Sequence, residues 1–242
     1  MIHNVSSVEK LMDSAENIRT NVALNGYAIV RGFFDPNTIR LFIPKIYAYL
    51  DQTEILGTTK GTQATPRSNS CKWSVGAMTG SQPGVARLMV TIYNPINQEN
   101  ILDFRLNFEK LIEVRDIIRN DDNSTKDSDL KDGSFNACRF QIYPEGGGFM
   151  DEHTDYLAQQ NSELPLLQLL LFITQKKLDF FEGGAYLVHN GKTIDIESLC
   201  QTGDILIYAG HSFHGVADID PFKSLNTQAI RGRVVALVTI YK

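Results

Sequence analysis

The second half of the chain, from residue 135 onward, alternates short apolar segments with glycine-rich turns. These segments occupy 135–143, 148–152, 166–174, 184–189, 192–196, 204–209, 212–217 and 233–241. Short segments that are rich in branched and aromatic residues and bounded by Gly, Asn and Asp are typical of β-strands. Eight such segments in succession predict a double-sheet jelly roll or a barrel, which encloses a cavity between its faces.

The first half of the chain predicts helices that brace one sheet of this core. The expected elements are a helix over 6–24, a strand over 27–34, a helix from about 36 to 51 and a long helix over 98–119, while 85–93 fits either a short helix or a strand. Asp35-Pro36 supplies an N-cap followed by proline at the first helical position. Pro44 lies inside the second helix, so we expect it to kink or divide that helix.

Two polar segments lack apolar periodicity. Residues 53–84 are rich in Gly, Thr, Ser, Pro and Gln. We expect a structureless insertion there, serving as a lid or substrate loop or else partly disordered. Residues 121–133, with the sequence DDNSTKDSDLKDG, predict a solvated loop.

Composition argues against several functional classes. The net charge of −5 gives no electrostatic reason to expect nucleic acid or an anionic membrane as a partner. No run of about 18 apolar residues is present, and the N-terminus lacks the basic start and apolar centre of a signal peptide. We therefore expect a cytoplasmic protein. Cys71, Cys138 and Cys200 are widely spaced without a CxxC motif, which favours buried thiols over disulfides or a thiolate zinc site.

A candidate metal site involves two of the predicted strands. His153 and Asp155 are two residues apart, so both side chains can reach one cation from an extended strand or a tight turn. His214, within His211-Ser-Phe-His214-Gly-Val, is the candidate third ligand, and His211 in the same turn is the alternative. Two imidazoles and one carboxylate on one face of an octahedron indicate a non-haem Fe(II) oxygenase. A zinc hydrolase could use the same ligands, but the sequence shows no general base for it.

Two arginines introduce the last predicted strand. In Arg231-Gly-Arg233 the second arginine precedes eight mostly apolar residues, as expected of a strand that is covered on both faces. A guanidinium in such a place needs an anionic partner, because leaving it unpaired is costly. A carboxylate bound in bidentate fashion is the natural partner, and it could belong to a ligand or to an acidic side chain of the protein.

Taken in order, these motifs resemble the 2-oxoglutarate/Fe(II)-dependent dioxygenases of prolyl-hydroxylase type. The resemblance covers about 135–242 and rests on Tyr143-Pro-Glu-Gly-Gly-Gly-Phe149, His153-Thr-Asp155, Gly183-Gly184, Gly203-Asp204, His214-Gly-Val and Arg233. It implies an α+β, mainly β fold with a double-stranded β-helix (jelly-roll or cupin-like) core. The expected organisation is a single dioxygenase domain over 1–242, helix-rich over 1–134, with the core and metal site over 135–242.

The resemblance also implies roles for individual residues. His153, Asp155 and His214 would bind Fe(II), and O2 and 2-oxoglutarate would be the co-substrates. Arg233 would pair with the distal carboxylate of 2-oxoglutarate, and Arg231 is the near alternative.

Other residues of the same strands would complete the co-substrate pocket. Tyr143, ten residues before the first ligand, would line it, and Gln141 and Arg139 alternate with Tyr143 on one strand face. Gln168 and Thr174 are candidates for a second hydrogen-bonding side chain beside the co-substrate, where relatives often have another residue.

The reaction that these features favour is hydroxylation of an unactivated C–H bond of a small molecule, such as an amino acid or a natural-product intermediate, with succinate and CO2 as co-products. Retention of Asp155 favours hydroxylation over halogenation, because related halogenases have a small residue there. Candidate substrate-binding residues are Arg139, Arg67 and Trp73, with Lys72 a further cation of the same loop. A peptide or protein hydroxylase and a non-catalytic cupin-like metal-binding protein are the alternatives, and the oligomeric state is open.

Overall fold

A computed structural model of the chain describes residues 1–57, 65–77, 84–120, 135–155 and 167–241. The helices within these ranges are α1 (Val8–Asn25), α2 (Pro36–Arg40), α3 (Phe42–Gln52) and α4 (Arg105–Arg119), with short 3-10 turns at Thr65–Arg67 and Ile101–Asp103. The strands are β1 (Ile2–Asn4), β2 (Tyr27–Arg31), β3 (Ser70–Ala77), β4 (Ala86–Tyr93), β5 (Phe135–Pro144), β6 (Gly148–His153), β7 (Leu167–Phe172), β8 (Gly184–His189), β9 (Lys192–Asp195), β10 (Ile205–Ala209), β11 (Phe213–Ile219) and β12 (Gly232–Tyr241). The predicted solvated loop at 121–133 lies outside the described residues.

The strands form a jelly roll whose two halves meet at β4. The order is β1-β2-β10-β7-β12-β5-β4-β6-β11-β8-β9, and β3 pairs with β4 outside this path. β4 pairs with β5 through residues 90–93 and with β6 through residues 87–88. Strands on both sides of β4 line one cavity, so the two groups of strands face each other. The predicted mainly β core with a jelly-roll arrangement is confirmed.

The helices cover the outer face of the β2-β10-β7-β12 half. α1 contacts α4, β2 and β10, and α4 contacts β7 and β12. Phe104 lies at the centre of an aromatic cluster there, with ring centroids 4.7 Å from Phe42, 5.0 Å from Phe108 and 4.8 Å from Phe140. This packing excludes water from the face of the sheet opposite the cavity. None of the helices in the described ranges is long and apolar enough to cross a membrane.

β3 was not predicted, because its composition hides its pattern. The expected structureless insertion at 53–84 contains Ser70–Ala77, which is antiparallel to β4. Cys71 and Trp73 face the helical side, whereas Lys72 and Ser74 face the cavity. Such alternation is the signature of a strand, but the surrounding sequence is rich in threonine, glycine and serine, which hides it. The ambiguous segment 85–93 is likewise a strand, β4.

Two predicted helices are interrupted. The helix expected over 36–51 is divided at Leu41 into α2 and α3. Pro44 is in the first turn of α3, where its missing N–H has no helical partner to lose. The helix expected over 98–119 begins as a 3-10 turn and becomes α-helical only at Arg105, because Leu102 has a φ of 61°. β1, which pairs in parallel with β2, was not predicted.

Candidate functional site

Strand pairing brings the three predicted metal ligands together. His153 ends β6 and His214 is the second residue of β11, and these two residues are opposite each other in the antiparallel ladder. Asp155 follows β6 by two residues, and its backbone N–H donates to the carbonyl of Gly210 at 2.7 Å. That bond fixes the segment after β6 against the turn before β11. The register of one strand pair therefore places residues that are far apart in sequence around one point.

The side chains of this cluster converge on a common centre. Asp155 Oδ1 lies 3.8 Å from His153 Nε2, and Asp155 Oδ2 lies 3.4 Å from His214 Nε2. The potential ligand atoms all lie within 4.8 Å of one another. His153 Nδ1 is 2.8 Å from the carbonyl of Asp151, and His214 Nδ1 is 2.9 Å from that of Ser212. These carbonyls accept a hydrogen from Nδ1, so each Nε2 faces the centre and can offer its lone pair to a metal ion there, as metal-binding histidines do.

Electrostatics favour the ionic forms that a metal requires. Burial lowers the pKa of His153, and the nearby His214 and Arg87 act in the same direction against Asp155. Burial alone would raise the pKa of Asp155, but the hydrogen bond with His214 and the charges of both histidines and Arg139 outweigh it, so that pKa is lowered. The imidazole of His153 is therefore neutral and Asp155 is ionised at neutral pH, which are the forms that bind a divalent cation.

A cavity of about 500 Å³ extends from this cluster between the two halves of the jelly roll. Four predicted site residues line it besides the histidines and Asp155, namely Arg139, Gln141, Tyr143 and Arg233. Gln168 also lines the cavity, and its Oε1 accepts a hydrogen bond from Thr239 at 3.4 Å. Thr174 is buried among backbone groups, with its Oγ1 2.7 Å from the N–H of Val234.

Arg233 is buried with part of its guanidinium unpaired. Its exposed fraction is 1%. Nε donates to Oε2 of Glu197 at 2.6 Å, and the same oxygen accepts the N–H of Ala185 at 2.8 Å. Nη1 and Nη2 are buried and have no hydrogen-bond partner among the described residues. The guanidinium also lies 5.3 Å from the ring centroid of Tyr143 and 5.4 Å from that of Phe172. The hydrogen bond from Nε and the contacts with the two rings hold the guanidinium group in place, so that Nη1 and Nη2 can bind a carboxylate.

Glu197 is a residue of this site that the sequence analysis did not identify. It follows β9 and is only 1% exposed. A Cβ atom added to Gly184 would lie 2.3 Å from Cγ of Glu197, so this glycine leaves the space that the glutamate occupies. The Gly183-Gly184 motif was therefore the sequence signal for a side chain packed against the start of β8.

Four other residues named from the sequence do not line the cavity. Arg231 precedes β12 and forms an exposed ion pair with Asp51 at 2.7 Å. Trp73 packs against the core on the face of β3 that faces away from the cavity, because the phase of the strand places odd-numbered residues there. The guanidinium of Arg67 lies 4.2 Å from the ring centroid of Phe135. His211 is exposed in the turn between β10 and β11 and is not part of the metal-ligand cluster.

The residues present fit both of the groups that the sequence implied. Two imidazole nitrogens and one carboxylate, gathered at the wall of a cavity, are the donor set that suits Fe(II) with further positions left open. The unpaired, buried nitrogens of Arg233 fit a ligand carboxylate, because a buried guanidinium without such a partner is unfavourable.

Comparison with known proteins gives similarity in structure only. No protein-family model matches the chain, and no curated protein matches it. A Trichoplax adhaerens prolyl hydroxylase, solved with a peptide fragment of hypoxia inducible factor, superposes with a TM-score of 0.63 at 12% identity over 97% of this chain and 91% of that one. A full-length Neurospora crassa protein, solved with alpha-KG and thymine, superposes with a TM-score of 0.59 at 11% identity over 98% of this chain and 84% of that one. A Pseudomonas putida prolyl-4-hydroxylase superposes with a TM-score of 0.58 at 13% identity over 95% of this chain and 99% of that one. The chain therefore has the fold of the 2OG-Fe(II) oxygenases, in its prolyl-hydroxylase-like form.

Proposed function

We propose that the protein is an Fe(II)- and 2-oxoglutarate-dependent oxygenase that hydroxylates an unactivated C–H bond of a small molecule and releases succinate and CO2. The observation that carries this proposal is that the His153, Asp155 and His214 cluster and the half-paired Arg233 line the same cavity. A non-catalytic metal-binding barrel would need the first feature but has no use for a buried cation with two unpaired nitrogens. An oxygenase that binds a dicarboxylate next to its metal needs both.

In this proposal each group has a defined task. His153, Asp155 and His214 hold the iron, and the carbonyls of Asp151 and Ser212 keep each imidazole in the tautomer that binds through Nε2. Fe(II) held by these three residues would supply open coordination positions and the redox chemistry that O2 activation requires.

The co-substrate is held at its other end by Arg233. Nη1 and Nη2 bind the distal carboxylate, while Glu197 keeps the guanidinium from rotating through its bond to Nε. Burial raises the pKa of Tyr143, against the opposing charges of Arg233 and Arg139. Its hydroxyl therefore stays protonated, and it donates a hydrogen bond to Oε1 of Gln141 at 3.3 Å on the wall of the same pocket.

The dimensions of the cavity support a small molecule as substrate. Pockets for small ligands commonly enclose about 300–1,000 Å³, and the volume here, about 500 Å³, lies in the lower part of that range. The thymine complex of the Neurospora crassa protein indicates that this fold can take a small molecule, and the Trichoplax adhaerens complex indicates that it can take a peptide. A peptide substrate is therefore the second candidate.

The experiment that tests the proposal is anaerobic addition of Fe(II) and 2-oxoglutarate to the purified apoprotein. A weak visible charge-transfer band should appear, because the 2-oxo acid chelates the iron. Asp155→Ala and His214→Ala should lose the band, and Arg233→Ala should need far more 2-oxoglutarate to develop it.

The chain offers matched controls for these variants. His211→Ala alters the exposed histidine of the same turn, and Arg231→Ala alters an arginine two residues from Arg233 that pairs outside the cavity. Both should develop the band as the wild type does. Absence of the band in the wild type would refute the proposal and favour a binding protein.

A further inference from the structure

The β3–β4 hairpin brings additional positive charge to the cavity. Lys72 and Ser74 on β3 and Arg87 on β4 all line it. In the ladder between these strands, Lys72 is opposite Thr91 and Gly76 is opposite Arg87, so Ser74 lies between the two cations on one face of the hairpin. The ammonium group of Lys72, the guanidinium group of Arg87 and the hydroxyl group of Ser74 lie on one wall, and together they can bind an oxyanion.

These cations have no acidic partner among the described residues. Neither Lys72 nor Arg87 forms an ion pair with a carboxylate in the parts of the chain that the structure describes. The ammonium of Lys72 lies 6.0 Å from the ring centroid of Tyr93. Asp151, on the neighbouring strand β6, directs Oδ2 to the N–H of Ala86 at 2.9 Å. Burial lowers the pKa of Lys72, and the charge of Arg87 lowers it further. The two positive charges thus repel each other within a partly buried site.

The sequence of the hairpin and its flanks contains no acidic residue. From residue 55 to residue 98 the chain contains no aspartate or glutamate but four basic residues, Lys60, Arg67, Lys72 and Arg87. Over the whole chain, in contrast, 28 acidic residues outnumber 23 basic ones. The hairpin and its flanks are therefore a basic segment of an acidic protein.

The charges of the proposed metal and co-substrate do not neutralise this pair either. This step rests on the proposed function. Fe(II), Arg233 and Arg139 would carry four positive charges, and Asp155, Glu197 and the two carboxylates of 2-oxoglutarate would carry four negative ones. Lys72 on β3 and Arg87 on β4 are not on strands next to that of Arg233, because β5 lies between β4 and β12. Their positive charge remains for a third molecule.

We infer that the molecule to be oxidised is a small acid, whose carboxylate or phosphate group binds between Lys72 and Arg87 with the hydroxyl of Ser74 as a further donor. The acidic group is held on the β3–β4 wall while the rest of the molecule extends toward the metal ligands. One cavity can take both parts of the molecule, because Lys72, Arg87, His153 and His214 all line it.

Binding of a simple anion tests this site without turnover. Inorganic phosphate is titrated at constant ionic strength into the protein loaded with Mn(II) and 2-oxoglutarate, and the thermal midpoint is followed. The wild type should show a saturable rise. Lys72→Met and Arg87→Met should each lower the affinity for phosphate about tenfold or more, since each removes a charge-assisted contact. Lys72→Arg should retain binding. Lys192→Met, which removes an exposed lysine of β9, is the matched control.

The outcomes separate this inference from the proposed function. If 2-oxoglutarate does not change the midpoint of the Mn(II)-loaded wild type, the proposed function fails. If 2-oxoglutarate does so but phosphate gives no saturable rise, or a rise that Lys72→Met and Arg87→Met leave unchanged, this inference alone is overturned.

Paired compounds then distinguish a carboxylate from a phosphate. Amino acids are compared with their α-amides, and sugar phosphates with the free sugars, for stimulation of succinate formation by the Fe(II) enzyme. The acid member of a pair should stimulate the wild type, and the Lys72→Met/Arg87→Met double variant should lose that response. Equal stimulation by the neutral partner would overturn the inference.

Discussion

Glu197→Gln should destabilise the protein when no co-substrate is present. The side chains of Arg233 and Glu197 are each 1% exposed, and Arg233 Nε lies 2.6 Å from Glu197 Oε2. Removing one partner of such a pair costs about 3–5 kcal/mol, because the other charge stays buried. Glutamine keeps the shape and can still accept from Arg233 Nε, so we expect a loss of about 3 kcal/mol. In a chain of this size each kcal/mol lowers the melting temperature by about 2–4 °C, which predicts a fall of about 6–12 °C.

Addition of 2-oxoglutarate should restore part of that loss. Its distal carboxylate would give Arg233 a new anionic partner. In the wild type it would share the Arg233 guanidinium with Glu197, whose Oε1 has no hydrogen-bond partner among the described residues, and the two carboxylates would repel each other. Removal of the Glu197 charge relieves that repulsion. Because a ligand that binds more tightly stabilises the folded state more at the same concentration, the rise in melting temperature with 2-oxoglutarate should be larger in the variant than in the wild type.

Circular dichroism melts with and without 2-oxoglutarate measure both effects. Asp51→Asn is the control, since it breaks the Arg231 pair, in which both side chains are 36% exposed. Exposed pairs contribute up to about 1 kcal/mol, so this variant should melt close to the wild type. A Glu197→Gln variant that melts at the wild-type temperature, or that gains no more from 2-oxoglutarate, would refute the reasoning.

Three further changes test other contacts. Gly184→Ala should weaken 2-oxoglutarate binding, measured by the same melts, because the new methyl group occupies the space of the Glu197 side chain. Asp220→Asn should cost about 1–2 kcal/mol in urea unfolding at neutral pH, because Asp220 accepts from two backbone N–H groups and pairs with Lys223. Hydrogen bonds and Lys223 lower the folded pKa of Asp220 despite burial; its contribution is therefore full above the unfolded pKa of about 3.9, and the difference between the two proteins should vanish as the pH falls through the lower, folded value. Ser7→Ala should cost about 1 kcal/mol in the same unfolding assay, since the hydroxyl accepts a backbone N–H in the first turn of α1.

Local geometry determines only part of the metal-ligand cluster, and that part could be predicted from sequence. A spacing of two residues places His153 and Asp155 within reach of one point, and a strand that ends near a turn delivers His214. An arginine before an apolar strand demands an anion, but this alone does not choose between Arg231 and Arg233. The choice of Arg233, like that of His214 over His211, rested on the resemblance to the dioxygenase family.

The remaining parts of the site depend on information that sequence spacing does not contain. Glu197 reaches Arg233 from a turn on another strand pair, so its partner follows from the fold alone. Trp73 and Lys72 are adjacent, yet the phase of β3 directs one to the core and the other to the cavity. A shift of one residue in that phase would reverse them, and the serine- and glycine-rich composition gave no indication of a strand at all.

β4 fixes the distance between Arg87 and the metal ligands, because it connects the two sheets that enclose the cavity. It pairs with β5 toward the end that lies near Arg139 and with β6 at Arg87, so one strand links the sheet that holds Arg233 to the sheet that holds His153 and His214. If the acidic group of a substrate binds at Arg87, the distance from Arg87 to the metal ligands determines which carbon is oxidised. The strengths of the individual C–H bonds would then not determine the position. Moving the cation by two residues, as in Arg87→Met with Met89→Arg, would shift the anchor by about 7 Å along the strand. Regioselectivity would thus be a property of strand geometry, and we expect such a variant to change which carbon is hydroxylated.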